Sequence, residues 1–345
     1  MSLRLGVLGA TGLVGRAMLA LLDERDFPVD APRLLASGRP GVRPLRFRGR
    51  EVPIVPVSAA AFADLDVVLS AVSNPLAEEW VPVARAAGAV VVDNSSAFRY
   101  HDEVPLVVPE VNGELLAGRP GLVANPNCST IGIVMALAPL ARVARLLQVV
   151  TSTYQSVSGG GAEALEELER GVRAGLEGDP PGRAGGLPPF AYNVIPQIDR
   201  FEANGYTREE MKVVWETRKI LRLPALPVLC TAVRVPVRVG HGAAVHAVFD
   251  RPVTPAEARA LWTAFPGLEV VDDPAHGRFP TPLASAGRDE VLVGRARPDL
   301  DDARGLEFFV CSDNLRKGAA LNAVQIAEHI FGVGRGALPG EGRRP

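Results

Sequence analysis

The stretch Leu3-Arg4-Leu5-Gly6-Val7-Leu8-Gly9-Ala10-Thr11-Gly12-Leu13-Val14-Gly15 decides the fold of the first part of this chain. It joins a short apolar run to glycines spaced G-x-x-G-x-x-G, and an amphipathic segment follows to about Arg25. That order predicts a buried strand, a glycine turn and a helix. Glycines in such a turn let the backbone approach a pyrophosphate, which the N–H groups at the helix N-terminus can bind. The spacing differs from G-x-G-x-x-G, so a tight turn without a ligand is the alternative.

The same alternation of apolar runs and helical segments continues to residue 127. A helix is predicted at Pro75–Ala87, and the apolar runs are Arg33–Ala36, Asp66–Val72, Ala89–Asp93, Leu106–Val108 and Leu122–Ala124. Strands that alternate with helices predict an α/β fold with a mainly parallel sheet. We therefore expect a Rossmann-type dinucleotide-binding domain over residues 1–127.

The pattern of predicted strands and helices changes from residue 128 onward. Two polar helices are predicted at Ala162–Leu176 and Thr207–Leu221, among longer strands at Leu147–Val157, Pro227–Val239 and Ala243–Phe249. This predicts an α+β catalytic and dimerisation domain with a mixed sheet over residues 128–313. A last helix within 314–331 has one apolar face and is expected to complete the first domain. The tail 332–345 is rich in Gly, Arg and Pro, which predicts disorder.

Composition excludes several classes of protein. The 345 residues are 47% hydrophobic and 22% charged with a net charge of -2, which is typical of a globular protein and leaves no basic surface for nucleic acid. We expect no signal peptide, because a predicted strand begins at residue 3, and no apolar run is long enough to cross a membrane without a charge or a turn residue. The three cysteines are few and odd in number, so no disulfide framework is expected. The scattered histidines suggest no metal site, and a cytoplasmic location is expected.

The end of the second predicted strand indicates which dinucleotide is bound. It reads Leu35-Ala36-Ser37-Gly38-Arg39, without the acidic residue that would bind the ribose 2′-hydroxyl of NAD. A hydroxyl and an arginine suit a 2′-phosphate, so NADP is predicted. The alternative is that Arg39 is one of several solvated arginines. The cofactor residues predicted in this domain are Gly9, Thr11, Gly12, Leu13, Val14, Ser37, Arg39, Ser70 and Ser73.

A cysteine stands at the start of a predicted helix in Asn125-Pro126-Asn127-Cys128-Ser129-Thr130. The positive end of a helix dipole favours a thiolate, so Cys128 is a candidate nucleophile, although most cysteines outside disulfides are small buried hydrophobes. Beside a dinucleotide, a thiolate suggests aldehyde chemistry through a thioester. His241, at a strand-to-turn transition, is the candidate base, although a lone histidine is usually structural.

Together these segments resemble the aspartate-β-semialdehyde dehydrogenase family from Leu3 to about Phe331. The resemblance rests on eight blocks that occur in the same order: Gly9–Gly12, Asp93–Arg99, Pro109–Asn112, Asn125–Thr130, Gln155–Gly159, Glu209–Lys212, Arg234–His241 and Asp313–Gly318. It implies that Cys128 is the nucleophile, that His241 is the general acid/base and that Gln155 orients the acyl group.

The resemblance also implies the substrate contacts. Arg234 is similar to the arginine that binds the substrate α-carboxylate, Glu209 to the residue that binds the amino group, and Arg99 and Lys212 to the phosphate-binding pair. Asn127 belongs to the same set, and Ser158, Gly159 and Asn314 are further predicted cofactor contacts. Two choices stay open, because Glu210 adjoins Glu209 and Arg238 shares a predicted strand face with Arg234. Without the resemblance, Glu209 and Lys212 would be read as a solvated helical ion pair.

The implied reaction is the NADPH-dependent conversion of L-aspartyl-4-phosphate to L-aspartate-4-semialdehyde, through a cysteine thioester. It would serve lysine, threonine, methionine and diaminopimelate biosynthesis in a homodimer or homotetramer built on the second domain's sheet. The nearest alternative is N-acetyl-γ-glutamyl-phosphate reductase, whose cysteine typically lies between Gly and Tyr, unlike the neighbours Asn127 and Ser129 here. An acyl-CoA reductase and a non-catalytic NADP-binding homologue are further alternatives.

Overall fold

The structure is a computed structural model that describes residues 2–38, 43–179, 182 and 186–334. The chain divides into two compact units. The first combines the chain up to Pro126 with the segment from Ala320 onward, and the second runs from Asn127 to Ala319. Asn127 and residues 314–319 thus lie in the second unit, whereas the sequence predicts them in the first.

The first unit is built on a six-stranded parallel sheet. Its strand order is β5-β2-β1-β6-β7-β8, with the strands β1 (Leu5–Leu8), β2 (Arg33–Ala36), β5 (Ile54–Pro56), β6 (Val67–Ser70), β7 (Val90–Asp93) and β8 (Leu122–Ala124). A small hairpin joins β3 (Leu45–Phe47) to β4 (Arg50–Val52). The central strands β1 and β6 are buried along their whole length, as expected for parallel strands covered on both faces.

Helices of the first unit are α1 (Leu13–Glu24), α2 (Asn74–Ala86), α3 (Pro109–Asn112) and α9 (Leu321–Phe331). Helix α9 lies in the hydrophobic core with α1. At the edge of that core Arg25 forms two hydrogen bonds of 2.8 and 2.7 Å with the fully buried carboxylate of Glu328. The final helix is therefore an integral part of the first unit.

The second unit is built on a six-stranded mixed sheet. Its order is β10-β9-β11-β14-β13-β12, with the strands β9 (Leu146–Gln155), β10 (Val228–Arg234), β11 (His241–Phe249), β12 (Leu268–Val270), β13 (Val291–Pro298) and β14 (Gly305–Ser312). The pairs β10–β9 and β12–β13 are parallel, and the central pairs are antiparallel. Its helices are α4 (Cys128–Ala141), α5 (Ala162–Leu176), α6 (Arg208–Leu221), α7 (Pro255–Ala264) and α8 (Pro282–Ser285).

The predicted fold class, an α/β protein with a parallel Rossmann-type sheet and a second mixed sheet, is confirmed. Helix α4 is buried from Ser129 to Leu140, as an apolar sequence without a polar face requires. Among the described residues no helix has both the length and the apolar character needed to span a membrane.

Several predicted elements differ in the structure. Leu106–Val108 forms no strand: Leu106 makes one isolated bridge to Ala124, and the carbonyl of Val107 accepts a 2.9 Å hydrogen bond from Asn322. The predicted last helix begins with a π-helical turn at Arg316–Ala320 before α9. The disorder predicted for 332–345 falls from residue 335 onward outside the described residues. Five strands and three helices of the described residues were not predicted, namely β3, β4, β5, β12, β13, α3, α7 and α8.

The long strand predicted at Pro227–Val239 is also shorter than expected. Strand β10 ends at Arg234, and a turn through Gly240 leads into β11. His241 is consequently the first residue of a strand, and not a residue that follows one. The turn separates Arg234 from Arg238, so the two arginines do not share a strand face.

Candidate active site

Cys128 is the first residue of the buried helix α4, and Asn127 caps that helix. The side-chain Oδ1 of Asn127 accepts hydrogen bonds from the backbone N–H groups of Ser129 at 2.9 Å and Thr130 at 3.3 Å. The thiol is partly exposed and lies at the positive end of the helix dipole. Gly318 packs closely against Cys128, because a Cβ at position 318 would lie 3.1 Å from the Cβ of Cys128.

The other two cysteines have a different environment. Cys230 and Cys311 are buried, and burial raises the pKa of both thiols well above the ordinary value. They are core residues of strands β10 and β14.

Glu209 on α6 is the centre of a buried polar network. Its Oε1 accepts hydrogen bonds from Nδ2 of Asn127 at 2.8 Å and Nε2 of Gln155 at 3.1 Å, and its Oε2 from Nζ of Lys212 at 3.1 Å. Burial raises the pKa of a carboxyl group, but the charge of Lys212 and these hydrogen bonds outweigh it and lower the pKa of Glu209. The network therefore holds an ionised carboxylate beside Asn127, the residue that caps the helix beginning at Cys128.

Lys212 is held between two carboxylates. Its Nζ lies 3.0 Å from Oδ2 of Asp199 as well as 3.1 Å from Glu209. Burial by itself would lower the pKa of Lys212, but the two carboxylates outweigh it and raise the pKa. The pair is thus largely buried, and is not the solvated helical ion pair that the spacing alone suggests.

The adjacent Glu210 takes part in the N-terminal cap of helix α6. Its Oε2 accepts a 2.6 Å hydrogen bond from the backbone N–H of Thr207, whose hydroxyl in turn accepts from the Glu210 N–H. This reciprocal arrangement is a capping box. The Oε1 atom accepts from the backbone of Ala232 at 3.0 Å. Of the two glutamates, only Glu209 contacts Asn127 and Gln155 among the described residues.

Arg234 lies at the end of β10, paired in register with Gln155 at the end of β9. Its Nη1 donates a 2.7 Å hydrogen bond to the backbone carbonyl of Ser156. Arg238, the rival candidate, is exposed and forms a 2.9 Å ion pair with Glu169 of α5. The structure therefore groups Arg234, and not Arg238, with the predicted catalytic residues.

His241 is almost completely buried, and its Nδ1 is hydrogen-bonded to Ser156. The backbone N–H of Ser156 donates to Nδ1 at 3.0 Å, and the Ser156 hydroxyl oxygen lies 3.0 Å from the same atom. Burial, followed by the positive charge of Arg234, lowers the pKa of His241 to about 3. The imidazole is therefore neutral near pH 7. Its Nε2 has no hydrogen-bond partner among the described residues.

Gly159 lies between these two groups. A Cβ at this position would come within 2.9 Å of Nη1 of Arg234 and 3.4 Å of Nε2 of His241. A side chain here would displace the guanidinium, so the site requires glycine. Asn314 and Ser158, also predicted to contact the cofactor, are buried and hydrogen-bonded to each other at 2.9 Å.

The three glycines of the turn in the first unit have different surroundings. Gly9 has φ +84°, and a Cβ there would lie 2.4 Å from the carbonyl oxygen of Ala71. A Cβ at Gly15 would lie 2.3 Å from the carbonyl oxygen of Gly9. At Gly12, the N-cap of α1, a Cβ would meet only that same oxygen, at an ordinary 3.5 Å. The protein's own packing therefore requires Gly9 and Gly15, and leaves the space at Gly12 open.

The start of α1 suits a pyrophosphate. Helix α1 has no side-chain cap, so the N–H groups of its first turn, including those of Leu13 and Val14, are available to an anion. Thr11 is partly exposed in the turn. The open space at Gly12 and the uncapped helix thus fit a dinucleotide.

The remaining predicted site residues of the first unit differ in their exposure to solvent. Ser37 is exposed after β2, Ser70 is buried at the end of β6, and Ser73 is the exposed N-cap of α2. Arg39 lies outside the described residues. Arg99 is buried, and its Nη2 donates a 2.7 Å hydrogen bond to the backbone carbonyl of Asn94.

Sequence reasoning missed two residues of this arrangement, Ser156 and Glu216. The fully buried Glu216 accepts a 2.6 Å hydrogen bond from the backbone N–H of Asn127. It follows Glu209 by two helical turns on α6, so the helical period was a usable signal. The role of Ser156 depends on the register between β9 and β11, for which the sequence carries no local signal.

The sequence predicts no metal site; within the described part of the chain, one cluster of ligand-type side chains lies in the second unit. His246, Asp299 and Glu307 bring their ligand atoms within 4.8 Å of one another. Nδ1 of His246 lies 2.8 Å from Glu307, and Arg297 lies 3.6 Å from the same carboxylate.

Two features are typical of a dinucleotide-dependent oxidoreductase that works through cysteine. The first unit has a parallel sheet with an open glycine turn. The second unit has a thiol at a helix N-terminus and a buried neutral histidine. Two family models match the chain: "Semialdehyde dehydrogenase, NAD binding domain" over residues 4–119 and "Semialdehyde dehydrogenase, dimerisation domain" over residues 137–317. The chain belongs to the semialdehyde dehydrogenase family.

Similar proteins cover nearly the whole chain. An aspartate-semialdehyde dehydrogenase of Legionella pneumophila is 45% identical over 94% of this chain and 95% of its own length. Another, from Aquifex aeolicus, is 44% identical over 97% of this chain and 99% of its own. The crystal structure of aspartate semialdehyde dehydrogenase II from Vibrio cholerae, complexed with ASA, has a TM-score of 0.92 at 42% identity and covers 96% of this chain and 98% of that one.

Proposed function

We propose that this protein catalyses the NADPH-dependent conversion of L-aspartyl-4-phosphate to L-aspartate-4-semialdehyde and phosphate, in lysine, threonine, methionine and diaminopimelate biosynthesis. One observation supports this substrate above others. The second unit groups a thiol, a neutral imidazole, an ionised carboxylate at Glu209 and a guanidinium at Arg234. A substrate with both an α-amino and an α-carboxylate group can pair with both charges.

Cys128 acts as the nucleophile. Its thiolate, favoured by the N-terminus of α4, attacks the acyl carbonyl and displaces phosphate to give a thioester. When bound, the nicotinamide supplies the hydride that reduces this thioester. His241 is the general acid/base that moves the proton at the oxygen of the acyl group, and Gln155, held by Glu209 at 3.1 Å, orients that group.

Charge pairing selects the amino acid part of the substrate. Arg234 binds the α-carboxylate through its planar guanidinium, and Glu209 binds the ammonium group. N-acetyl-γ-glutamyl-phosphate is not favoured, because its acylated nitrogen carries no charge and would leave the buried Glu209 carboxylate without its substrate partner. Nothing in the site favours an acyl-CoA reductase or a non-catalytic homologue, and the thiol and imidazole argue against the latter.

Arg99 and Lys212 neutralise the phosphoryl group. Both side chains are largely buried, so their charges act in a medium of lower dielectric constant than water. Lys212 is already shared by Glu209 and Asp199, which keeps it protonated. Asn127 completes this part of the site as the residue that links Glu209 to the nucleophile's helix.

The first unit binds NADP rather than NAD. The support is the strand end at Ser37, which lacks an acidic residue, and the arginine that follows at position 39 in the sequence. The residues proposed to hold the dinucleotide in this unit are Gly9, Thr11, Gly12, Leu13, Val14, Ser37, Arg39, Ser70 and Ser73. Ser158, Gly159 and Asn314 are proposed contacts from the second unit.

The active form is a homodimer in which the sheet of the second unit meets a second copy. The support is the family's dimerisation domain and a sheet face that carries exposed apolar side chains, Val150, Tyr154 and Leu229. Tyr154 and Phe309 stack on this face with ring centroids 6.0 Å apart. A homotetramer and a cytoplasmic location stay predictions.

The test is the absorbance of reduced cofactor in the reverse direction. Purified protein is mixed with aspartate semialdehyde, phosphate and NADP, and parallel reactions omit phosphate, replace NADP by NAD, or use N-acetylglutamate semialdehyde. We expect phosphate-dependent NADPH formation from the unacetylated aldehyde. Turnover of the acetylated aldehyde alone would contradict the proposed substrate, and no turnover by folded protein in any reaction would contradict the proposed activity.

A further inference from the structure

We propose that Glu216 is a positioning residue for the nucleophile: from helix α6, its carboxyl group completes the N-terminal cap of the helix that begins at Cys128. The cap follows from contacts within the second unit. Its consequence for the reaction rests on the proposed function, in which Cys128 attacks the substrate. The family resemblance implies no role for Glu216.

Helix α4 carries only one half of a reciprocal cap in its own sequence. Oδ1 of Asn127 accepts hydrogen bonds from the N–H groups of Ser129 and Thr130, which is the first half. In a capping box, a Glu or Gln at the third helical position accepts in return from the N–H of the capping residue. That position of α4 is Thr130, whose buried hydroxyl has no hydrogen-bond partner among the described residues. The second half therefore has to come from elsewhere in the chain.

Glu216 supplies this second half. Its Oε2 accepts a 2.6 Å hydrogen bond from the backbone N–H of Asn127, although the two residues are 89 positions apart. Glu216 is fully buried, so water does not compete for the contact. Helix α6 has the local form of the same arrangement at its own start, where Glu210 accepts from Thr207. Helix α4 thus takes from a second helix what α6 obtains from its own first turn.

Two glutamates on one face of α6 hold Asn127. Glu209 and Glu216 are seven residues apart, which is about two helical turns. Glu209 accepts from the side-chain Nδ2 at 2.8 Å, while Glu216 accepts from the backbone. The Asn127 carbonyl accepts from the N–H of Ile131 at 3.1 Å. Each polar group of Asn127 thus has a partner, so neither its backbone nor its side chain can rotate without breaking a hydrogen bond.

The place of the Cys128 thiol depends on Asn127, because the two residues are neighbours in the chain. The contact with Glu216 orients the peptide group through which the chain enters α4. Glu209 and Lys212, which are proposed to contact the substrate, lie on the same helix as Glu216. Glu216 therefore fixes the thiol relative to these side chains. Such placement matters because a displacement of reacting atoms by about 1 Å can lower a rate about a hundredfold.

The first test compares two substitutions in the full-length protein. Glu216→Gln retains an acceptor oxygen, whereas Glu216→Met has a similar shape and no oxygen. Both remove the acidic group, so a difference between them reports the hydrogen bond. We expect kcat of Glu216→Met to be about ten- to a hundredfold below that of Glu216→Gln, with a similar KM for aspartate semialdehyde. Equal kcat values, or a difference confined to KM, would overturn the proposal.

Alkylation of Cys128 by iodoacetamide gives a readout that needs no substrate. Cys230 and Cys311 are buried, so Cys128 is the accessible target, and mass spectrometry locates the label. A helix start that has lost its orientation stabilises a thiolate less. Glu216→Met should therefore react more slowly than Glu216→Gln at neutral pH and reach its half-maximal rate at a higher pH. Identical pH profiles of the two folded variants would contradict the positioning role.

A measurement on the wild-type protein keeps the proposal testable if Glu216→Met does not fold. Pro126-Asn127 is the only Pro–Asn pair in the sequence, so ¹³C-carbonyl proline combined with ¹⁵N-asparagine selects the Asn127 N–H in NMR spectra. We expect slow hydrogen exchange of this N–H and a downfield proton shift, both retained in Glu216→Gln. Rapid exchange in the wild-type protein would overturn the proposal.

Glu257 of α7, which forms a partly exposed ion pair of 2.7 Å with Arg251, offers a matched control. Glu257→Gln and Glu257→Met should have equal kcat values and equal alkylation profiles. Because alkylation and NMR need no turnover, they separate the two proposals. The expected alkylation and exchange results in a protein inactive on aspartate semialdehyde would contradict the proposed function and leave the cap at Cys128 established.

Discussion

The side chain of Asn127 donates a hydrogen bond of 2.8 Å from Nδ2 to Oε1 of Glu209. Its other terminal atom, Oδ1, caps the helix that begins at the neighbouring Cys128. One amide therefore ties the proposed nucleophile to the carboxylate that is proposed to bind the substrate amine. A residue in this position couples the stability of the helix to the affinity for substrate, and two substitutions can separate the effects.

Replacing Asn127 by alanine should remove both contacts, whereas serine should retain the helix cap. We expect Asn127→Ala to lower the free energy of unfolding by about 1 kcal/mol more than Asn127→Ser does, because serine is a good N-cap residue. Both variants lose the donor to Glu209, so both should raise KM for aspartate semialdehyde. Urea unfolding and steady-state kinetics measure the two effects. Equal stabilities of the two variants would contradict the capping role.

Removing the charge of Arg234 should change the titration of His241. After burial, the guanidinium is the largest influence that lowers the pKa of His241 to about 3. Arg234→Gln should therefore raise this pKa toward 6.5, while Arg234→Lys should retain most of the lowering. Both should raise KM, because lysine cannot form the paired hydrogen bonds to a carboxylate. NMR titration follows the ring, and an unchanged pKa in Arg234→Gln would contradict this account of the electrostatics.

Glu209 should contribute to stability only where it is ionised. A carboxyl group whose pKa is lowered by folding stabilises the fold above its unfolded-state pKa and loses that contribution as the pH falls through the folded value. The pKa of Glu209 is lowered from 4.5. The difference in unfolding free energy between wild type and Glu209→Gln should be constant from neutral pH to about pH 5 and shrink below that.

The matched control for this prediction is Glu169→Gln, which removes an exposed carboxylate paired with Arg238 at 2.9 Å. An exposed pair contributes little, so its difference from wild type should be small at every pH. Denaturant unfolding between neutral and acidic pH measures both. If the Glu209→Gln difference grew as the pH fell, the assigned lowering of the pKa would be wrong.

The three glycines of the first turn should respond differently to alanine. Gly12→Ala should fold normally, because its Cβ meets only an oxygen at 3.5 Å, and should weaken the binding of NADP, because the Cβ takes the space left for the pyrophosphate. Gly9→Ala should instead destabilise the fold, since its Cβ would lie 2.4 Å from a backbone oxygen. Thermal unfolding and fluorescence titration with NADPH distinguish them. Unchanged NADPH affinity in Gly12→Ala would contradict the proposed binding site.

Local signals in the sequence predict the parts of the fold and site that are close along the chain. The glycine turn, the start of α4 at Cys128 and the placement of Glu209 and Lys212 three residues apart all depend on neighbouring residues. Such features follow from helix periodicity, capping and turn chemistry.

Contacts across the second sheet are less accessible to sequence reasoning. The pairing of Arg234 with Gln155 and the contact of Ser156 with His241 depend on strand register, which tertiary packing decides. The apolar run at Leu106–Val108 shows that a local signal can also be wrong, because its sequence predicts a strand that does not form. Its residues are buried, and the N–H of Val107 donates a 3.2 Å hydrogen bond to Ala124 of β8, yet the carbonyl of Val107 accepts from the side chain of Asn322 and the segment forms no strand.

The most direct measurement combines NADPH absorbance with mass spectrometry of the protein after mixing with aspartate semialdehyde and NADP in the absence of phosphate. We predict a burst of NADPH of about one equivalent per active site, together with an aspartyl adduct on the peptide that contains Cys128, as expected for an accumulating acyl-enzyme. Added phosphate should then remove the adduct and start steady turnover. Phosphate-dependent turnover without an adduct on Cys128, or by the Cys128→Ala variant, would contradict the covalent mechanism.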